Sequence, residues 1–104
     1  MTSVQFELTP AAKDDIADIA RYTMQKWGKP QAMKYADLLD ACFHKIARGE
    51  DISKTVLPHQ KHIRVCKCEH HYIFYLRKDE RAIILAVLHE RMDLMERLKA
   101  RLDF

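Results

Sequence analysis

The chain has 104 residues, of which 48% are hydrophobic and 32% charged. That is the size and make-up of one soluble globular domain, here expected to span residues 1–104, with no room for a large enzyme cleft plus a second module. A formal net charge of +3 is modest, so its placement matters more than its sum.

Between positions 61 and 78 the cations Lys61, Arg64, Lys67, Arg77 and Lys78 meet one acid, Glu69. Such a face suits an acidic partner, protein or nucleic acid; the plainer reading is a solvated sheet face. Three cysteines, an odd number without regular spacing, argue against a secreted disulfide scaffold. The opening MTSVQFELTP offers neither a basic n-region nor an apolar h-region. No apolar run approaches the ~20 residues that span a bilayer. A cytoplasmic protein with no membrane partner is expected.

Along the chain, Val4, Phe6 and Leu8 alternate with polar residues, which predicts a half-buried strand over residues 3–8. Thr9-Pro10 then opens a helix, with a hydroxyl at the N-cap and proline in the first turn. Asp14 and Asp15 are expected to favour its dipole. Ala12, Ile16, Ile19, Ala20, Thr23 and Trp27 share one face. Gly28 ends this helix and Pro30 restarts another, so the two should form an antiparallel hairpin. The second helix carries Tyr35, Leu38, Leu39, Cys42 and Ile46 as its apolar stripe, and Gly49 closes it.

Residues 50–61 lack periodicity and read as a loop. Three strands are expected over residues 62–68, 71–76 and 82–89, the last two joined by the charged turn Lys78-Asp79-Glu80-Arg81. The final strand, apolar on both faces, is predicted to be central and covered on both sides. Asp93 and Glu96 have capping-box spacing, and Leu94, Leu98 and Leu102 line one face of a terminal helix. The order β-α-α-β-β-β-α predicts an α+β domain, a helical hairpin packed on a small, mainly antiparallel sheet.

An ordered set of residues carries a resemblance. The first helix reads Leu8-Thr9-Pro10-Ala11-Ala12, Asp14-Asp15-Ile16, Ile19, Tyr22 and Trp27-Gly28. The second opens with Gln31-Ala32 and runs through Tyr35 and Leu38. The sheet holds His71-Tyr72-Ile73-Phe74-Tyr75 and then Leu88-His89-Glu90-Arg91-Met92-Asp93. Across nearly the whole chain this succession resembles the ParE-type toxins of the ParE/RelE toxin–antitoxin superfamily. Departures fall in the basic sheet region: His62 and Glu69-His70 stand where members often carry glycine or Gly-Ser, and Leu76 where they often carry arginine.

The resemblance implies a RelE/ParE-like fold and a toxin that poisons DNA gyrase. It also implies a cognate antitoxin protein that wraps the toxin; DNA is contacted only through the antitoxin or gyrase. No cofactor or metal is implied.

Several residues invite sharper readings. Trp27 and Tyr35 lie in apolar stripes and are expected to pack between the helices. Asp93 reads as the last helix's N-cap and His89 as a hydrogen-bonded structural group. Cys66, Cys68 and His70 share one strand face, but a structural zinc needs four ligands, and the fourth, His59 or His62, is not enforced. The thiols read as small packing residues.

An RelE-like ribosome-dependent mRNA endonuclease is the rival reading. It would need acid–base groups beside cations. Cations are present at Arg64, Arg77, Arg91, Arg97, Lys99 and Arg101, but no tyrosine or histidine follows His89. A binder rather than an enzyme is therefore expected, with Arg64, Arg77, His89, Arg91, Arg97 and Arg101 as candidate contacts to target or antitoxin. The antitoxin would add a helix along an apolar groove or a strand at a sheet edge.

Overall fold

A computed structural model describes residues 6–57 and 60–102. Val4, His59 and Phe104 lie outside the described residues, as does the side chain of Lys61.

The elements run β1 (Phe6–Leu8), α1 (Pro10–Trp27), α2 (Lys29–Arg48), β2 (Lys54–Leu57), β3 (Gln60–Cys68), β4 (His71–Lys78), β5 (Arg81–His89) and α3 (Leu94–Leu102). Local chemistry sets most boundaries. Thr9 Oγ1 accepts the Ala12 N–H at 3.1 Å, and Pro10 follows it at the start of α1. Gly49 ends α2 in the left-handed region at φ 74°, where a β-carbon is costly. Asp93 Oδ1 accepts the Glu96 N–H at 3.1 Å, so the expected cap of α3 is formed.

The sheet order is β1-β5-β4-β3-β2, with β1 parallel to β5 and the other pairs antiparallel. Lys54–Leu57 forms an edge strand where a loop was expected. A four-residue edge strand is too short, and its pairing too irregular, to register as periodicity. It also moves the middle of the sheet to β4, so β5 is interior but not central.

Both faces of β5 are covered, as its apolar run predicts. Ile84 and Val87 join Ala12, Leu39, Phe43, Ile46 and Ile73 beneath the hairpin. Ala86, Leu88 and Phe74 pack with Leu98 of α3 on the opposite face. The β4–β5 register slips between Phe74 and Tyr75, which pair with Ala86 and Ile84. This bulge at Leu85 breaks the two-residue alternation, so Leu85 and Ala86 both face α3.

Beyond the end of β1, side chains take over as partners of β5. Thr9 Oγ1 and Arg101 Nη1 donate to the Leu85 carbonyl at 3.4 and 3.2 Å. Asp15 Oδ2 accepts the Val87 N–H at 2.9 Å and Arg101 Nη1 at 2.6 Å. Asp15 therefore works as a bridge between α1, β5 and α3 rather than as a partner of the helix dipole; neither it nor Asp14 lies in the first turn.

Candidate functional site

Burial along α1 stops before its C-terminal end, which overhangs the sheet. Ala12 and Thr23 are buried on α1, yet Trp27, one turn beyond Thr23, is 64% exposed, and Tyr22, beside Thr23 on the neighbouring face, is 57% exposed. Trp27 is thus not core packing: it lies past the last covered turn of its stripe. Lys26 Nζ sits 5.6 Å from the Tyr22 ring and 5.8 Å from the Trp27 ring, within cation–π reach.

Beneath this overhang runs a groove of about 840 Å³. Ile19, Tyr22, Thr23 and Trp27 of α1 form one wall, Gln31 and Tyr35 of α2 another, and His70, His71, Val87 and His89 the floor. Arg91 and Met92 stand at its far lip. Large apolar side chains around a concave surface, with a few polar groups inside, are the mark of a binding site.

The polar groups form a connected chain. Tyr35, half-buried, points to the sheet rather than to α1. Its hydroxyl accepts the His70 N–H at 3.3 Å and lies 2.5 Å from His71 Nδ1. The hydroxyl keeps a second lone pair, so the imidazole tautomer sets which of the two groups donates. His71 is 8% exposed, and burial, with His89 and His70 nearby, pushes it down to about 4. It is neutral at physiological pH. Burial also raises the Tyr35 hydroxyl, so both groups stay uncharged. The His71 and His89 rings meet edge to face at 5.0 Å, and His89 Nδ1 accepts the Arg91 N–H at 3.1 Å, the structural role expected of it. At the rim, Glu90 bonds His70 at 2.9 Å and Lys67 at 3.0 Å. Those hydrogen bonds pull its carboxyl down to about 2.

The six expected contact residues do not gather into one surface. Arg64 donates from Nε to Ser53 Oγ at 2.7 Å and from Nη2 to the Ser53 carbonyl at 3.0 Å, pinning the segment before β2. Arg77 donates to the Ile46 carbonyl at the end of α2, where a cation suits the helix dipole. Arg101 holds Asp15 through both oxygens. His89 and Arg91 belong to the groove. Arg97 is exposed on α3, with no ion pair among the described residues.

The apparent basic excess also shrinks in three dimensions. Lys67 meets Glu90, an acid twenty-three positions away. Missed by sequence reasoning were the exposure of Trp27 and Tyr22 and the role of Tyr35 as a tie to the sheet.

The cysteines differ from expectation too. Cys66 is buried and free, but Cys42 and Cys68 are disulfide-bonded. Packing alone does not describe that pair. No cluster of potential metal ligands occurs among the described residues, and no described helix is long and apolar enough to cross a membrane.

Comparison with known proteins places this geometry among relatives. Residues 6–94 match the family model described as ParE toxin of type II toxin-antitoxin system, parDE. The chain is similar to Toxin ParE of Escherichia coli, 43% identical over 91% of this chain and 93% of that one. It is 34% identical to Toxin ParE1 of Caulobacter vibrioides, over 85% of this chain and 91% of the relative. In fold it resembles a chain from the chromosomal ParDE system of P. aeruginosa, with a TM-score of 0.67, 15% identity and 83% and 95% of the two chains covered. A chain of the YoeB-YefM toxin–antitoxin complex of Staphylococcus aureus is similar at TM-score 0.57 and 13% identity, with 85% and 98% covered.

Proposed function

Because the chain belongs to the ParE toxins of parDE type II toxin–antitoxin systems, we propose that it arrests growth by binding and poisoning DNA gyrase, and that a cognate antitoxin protein neutralises it. The observation that carries this reading is kinship over residues 6–94. In this reading the protein acts by binding, not by catalysis, and touches DNA only through gyrase or the antitoxin.

The geometry agrees with a binder. A nuclease needs cations free to meet a phosphate and groups able to pass protons near neutral pH. Arg64, Arg77 and Arg101 instead close loops, a helix end and an α1–α3 bridge. His71, with its pKa lowered to about 4, and Tyr35, with its pKa raised, are tuned away from neutral proton transfer. What is left to a partner is the groove with its exposed Tyr22, Trp27 and Met92, plus the outward-facing Arg91 and Arg97.

The antitoxin lays the apolar face of a helix into this groove, over Ile19, Tyr22, Trp27 and Met92, as amphipathic helices do in such clefts. Acidic side chains on that helix would meet Arg91 at the lip. Arg97, on the exposed side of α3, is then available to the target while the groove is filled.

The test is a supercoiling assay of gyrase with purified toxin, with and without antitoxin, beside a ribosome-programmed mRNA cleavage assay. Lost supercoiling or trapped cleaved DNA, relieved by antitoxin and with mRNA intact, is the expected result. Cut mRNA beside normal gyrase would overturn the reading in favour of an RelE-like endonuclease.

A further inference from the structure

The disulfide partners come from separate layers. Cys42 sits on α2 and Cys68 closes β3, with their Cα atoms 6.4 Å apart, within the span such a bond requires. Two turns earlier on the same face of α2 stands Tyr35, and Cys68 is the register partner of His71. The sulfur bridge and the Tyr35–His71 contact therefore fasten one face of α2 to one corner of the sheet. That corner is the floor of the groove.

We propose that Cys42 and Cys68 form a reversible thiol–disulfide site, oxidised by a low-molecular-weight disulfide of the glutathione class, whose closure clamps the α2 wall of the groove onto the sheet. The accessibility order suits this reagent. Cys42 is half-buried and within reach of a small molecule, whereas Cys68 is 3% exposed. The Cys42 thiolate attacks one sulfur of the small disulfide; a mixed disulfide forms, and one small thiol leaves with the proton that Cys42 gave up. The Cys68 thiolate then attacks Cys42 Sγ. The protein disulfide forms, and the second small thiol leaves with the proton of Cys68. Two protein thiols are oxidised and one small disulfide is reduced to two thiols. Excess small thiol runs the same steps backwards.

Two features keep the exchange clean. Cys66, on the same strand face, is the obvious competitor. The fold holds Cys68, not Cys66, against Cys42 Sγ, and burial besides pushes the Cys66 thiol up to about 12. With the bridge closed, Cys68 Sγ already lies 3.6 Å from the Leu38 carbonyl, so an S–H formed on opening has an acceptor in place. The open form is thus not left with an unsatisfied buried thiol. A reducing compartment holds the pair open and oxidative conditions close it.

The inference does not depend on gyrase or on an antitoxin, and neither does its test. The full chain is equilibrated across a series of reduced-to-oxidised glutathione ratios, quenched in acid, and analysed by intact mass, thermal melting and amide hydrogen exchange. Expected is a reversible loss of two hydrogens with a Cys42–Cys68 linked peptide. The bridge spans a sequence separation of 26 residues, and closing a loop of that size should raise the melting temperature by on the order of 10 °C. Exchange should slow in α2 around Tyr35 to Cys42. Cys66→Ser should keep the same loss of two hydrogens and the same oxidised-to-reduced shift in melting temperature, whatever its own stability. Cys42→Ser should melt like the reduced chain at every ratio. Glutathione retained on Cys42, a bridge to Cys66, or oxidised and reduced chains that melt and exchange alike would each overturn the proposal.

Discussion

Removing the carboxylate of Asp15 tests the most connected polar contact in the fold. Asp15 accepts Arg101 through both oxygens and also holds the Val87 N–H. Side-chain exposures of 14% for Asp15 and 29% for Arg101 place the pair between surface and interior. Breaking a fully buried pair costs about 3–5 kcal/mol, whereas an exposed pair is worth under ~1 kcal/mol. Solvent screening therefore moves Asp15→Ala to about 2–3 kcal/mol, because the substitution strands both a guanidinium and a backbone N–H. Arg101→Ala should cost less, about 1–2 kcal/mol, since Asp15 keeps the Val87 N–H and gains water.

For a chain of this size each kcal/mol moves the melting temperature by about 4–8 °C. Asp15→Ala should then lower it by roughly 10–20 °C and Arg101→Ala by roughly half as much. The double variant should fall short of the sum, with a coupling energy of about 1 kcal/mol or more. Urea denaturation of the four proteins measures this. Additive losses, or an Arg101→Ala chain that melts normally but no longer binds its partner, would refute the argument. Arg101 would then be a contact residue, as first expected, and not a bridge.

Other perturbations probe separate levels of the structure. The unfolded chain takes up a proton at His71 near pH 6.5, but the folded chain resists until about 4. Stability should therefore be intact above pH 6.5 and drain as pH falls toward 4, with a slope approaching ~1.4 kcal/mol per pH unit. Glu90, held down to about 2 by His70 and Lys67, loses its contribution in the next window, below about 4.5. Denaturation curves from pH 7.5 to 5 should show the first slope, and His71→Gln should flatten it; an unchanged slope would remove His71 as its source. Asp79 and Glu80 both adopt positive φ, 52° and 64°, in the β4–β5 turn. Glu80→Gly should thus stabilise the fold by about 0.5–1 kcal/mol, and a lower melting temperature would count against the strain argument. Trp27→Ala should leave stability within about 0.5 kcal/mol, because the ring is exposed. The same change should weaken antitoxin binding by on the order of 2 kcal/mol, roughly 30-fold in titration calorimetry. Unaltered affinity would move the docking site elsewhere.

Much of the architecture was written in short-range chemistry. Thr9-Pro10, Gly28, Gly49 and Asp93 mark helix ends because caps, proline rings and left-handed backbone act on neighbours within one turn. The apolar run from Ala82 to Leu88 announced a strand covered on both faces, since no polar side remained to meet water. The ordered set from Leu8 to Asp93 also placed the chain with its family.

The tertiary structure alone decided what depends on distance and register. Lys54–Leu57 is a strand only because β3 offers an edge to it. The Leu85 bulge, invisible in an all-apolar segment, sends successive residues to one face. Trp27 follows the helical stripe perfectly well, yet the sheet beneath it ends first, so periodicity names its face and not its cover. Asp15 and Arg101 meet across 86 positions, and Cys42 and Cys68 across 26. A local pattern records how each residue prefers to turn; it holds no record of which distant side chain the folded sheet will bring within reach.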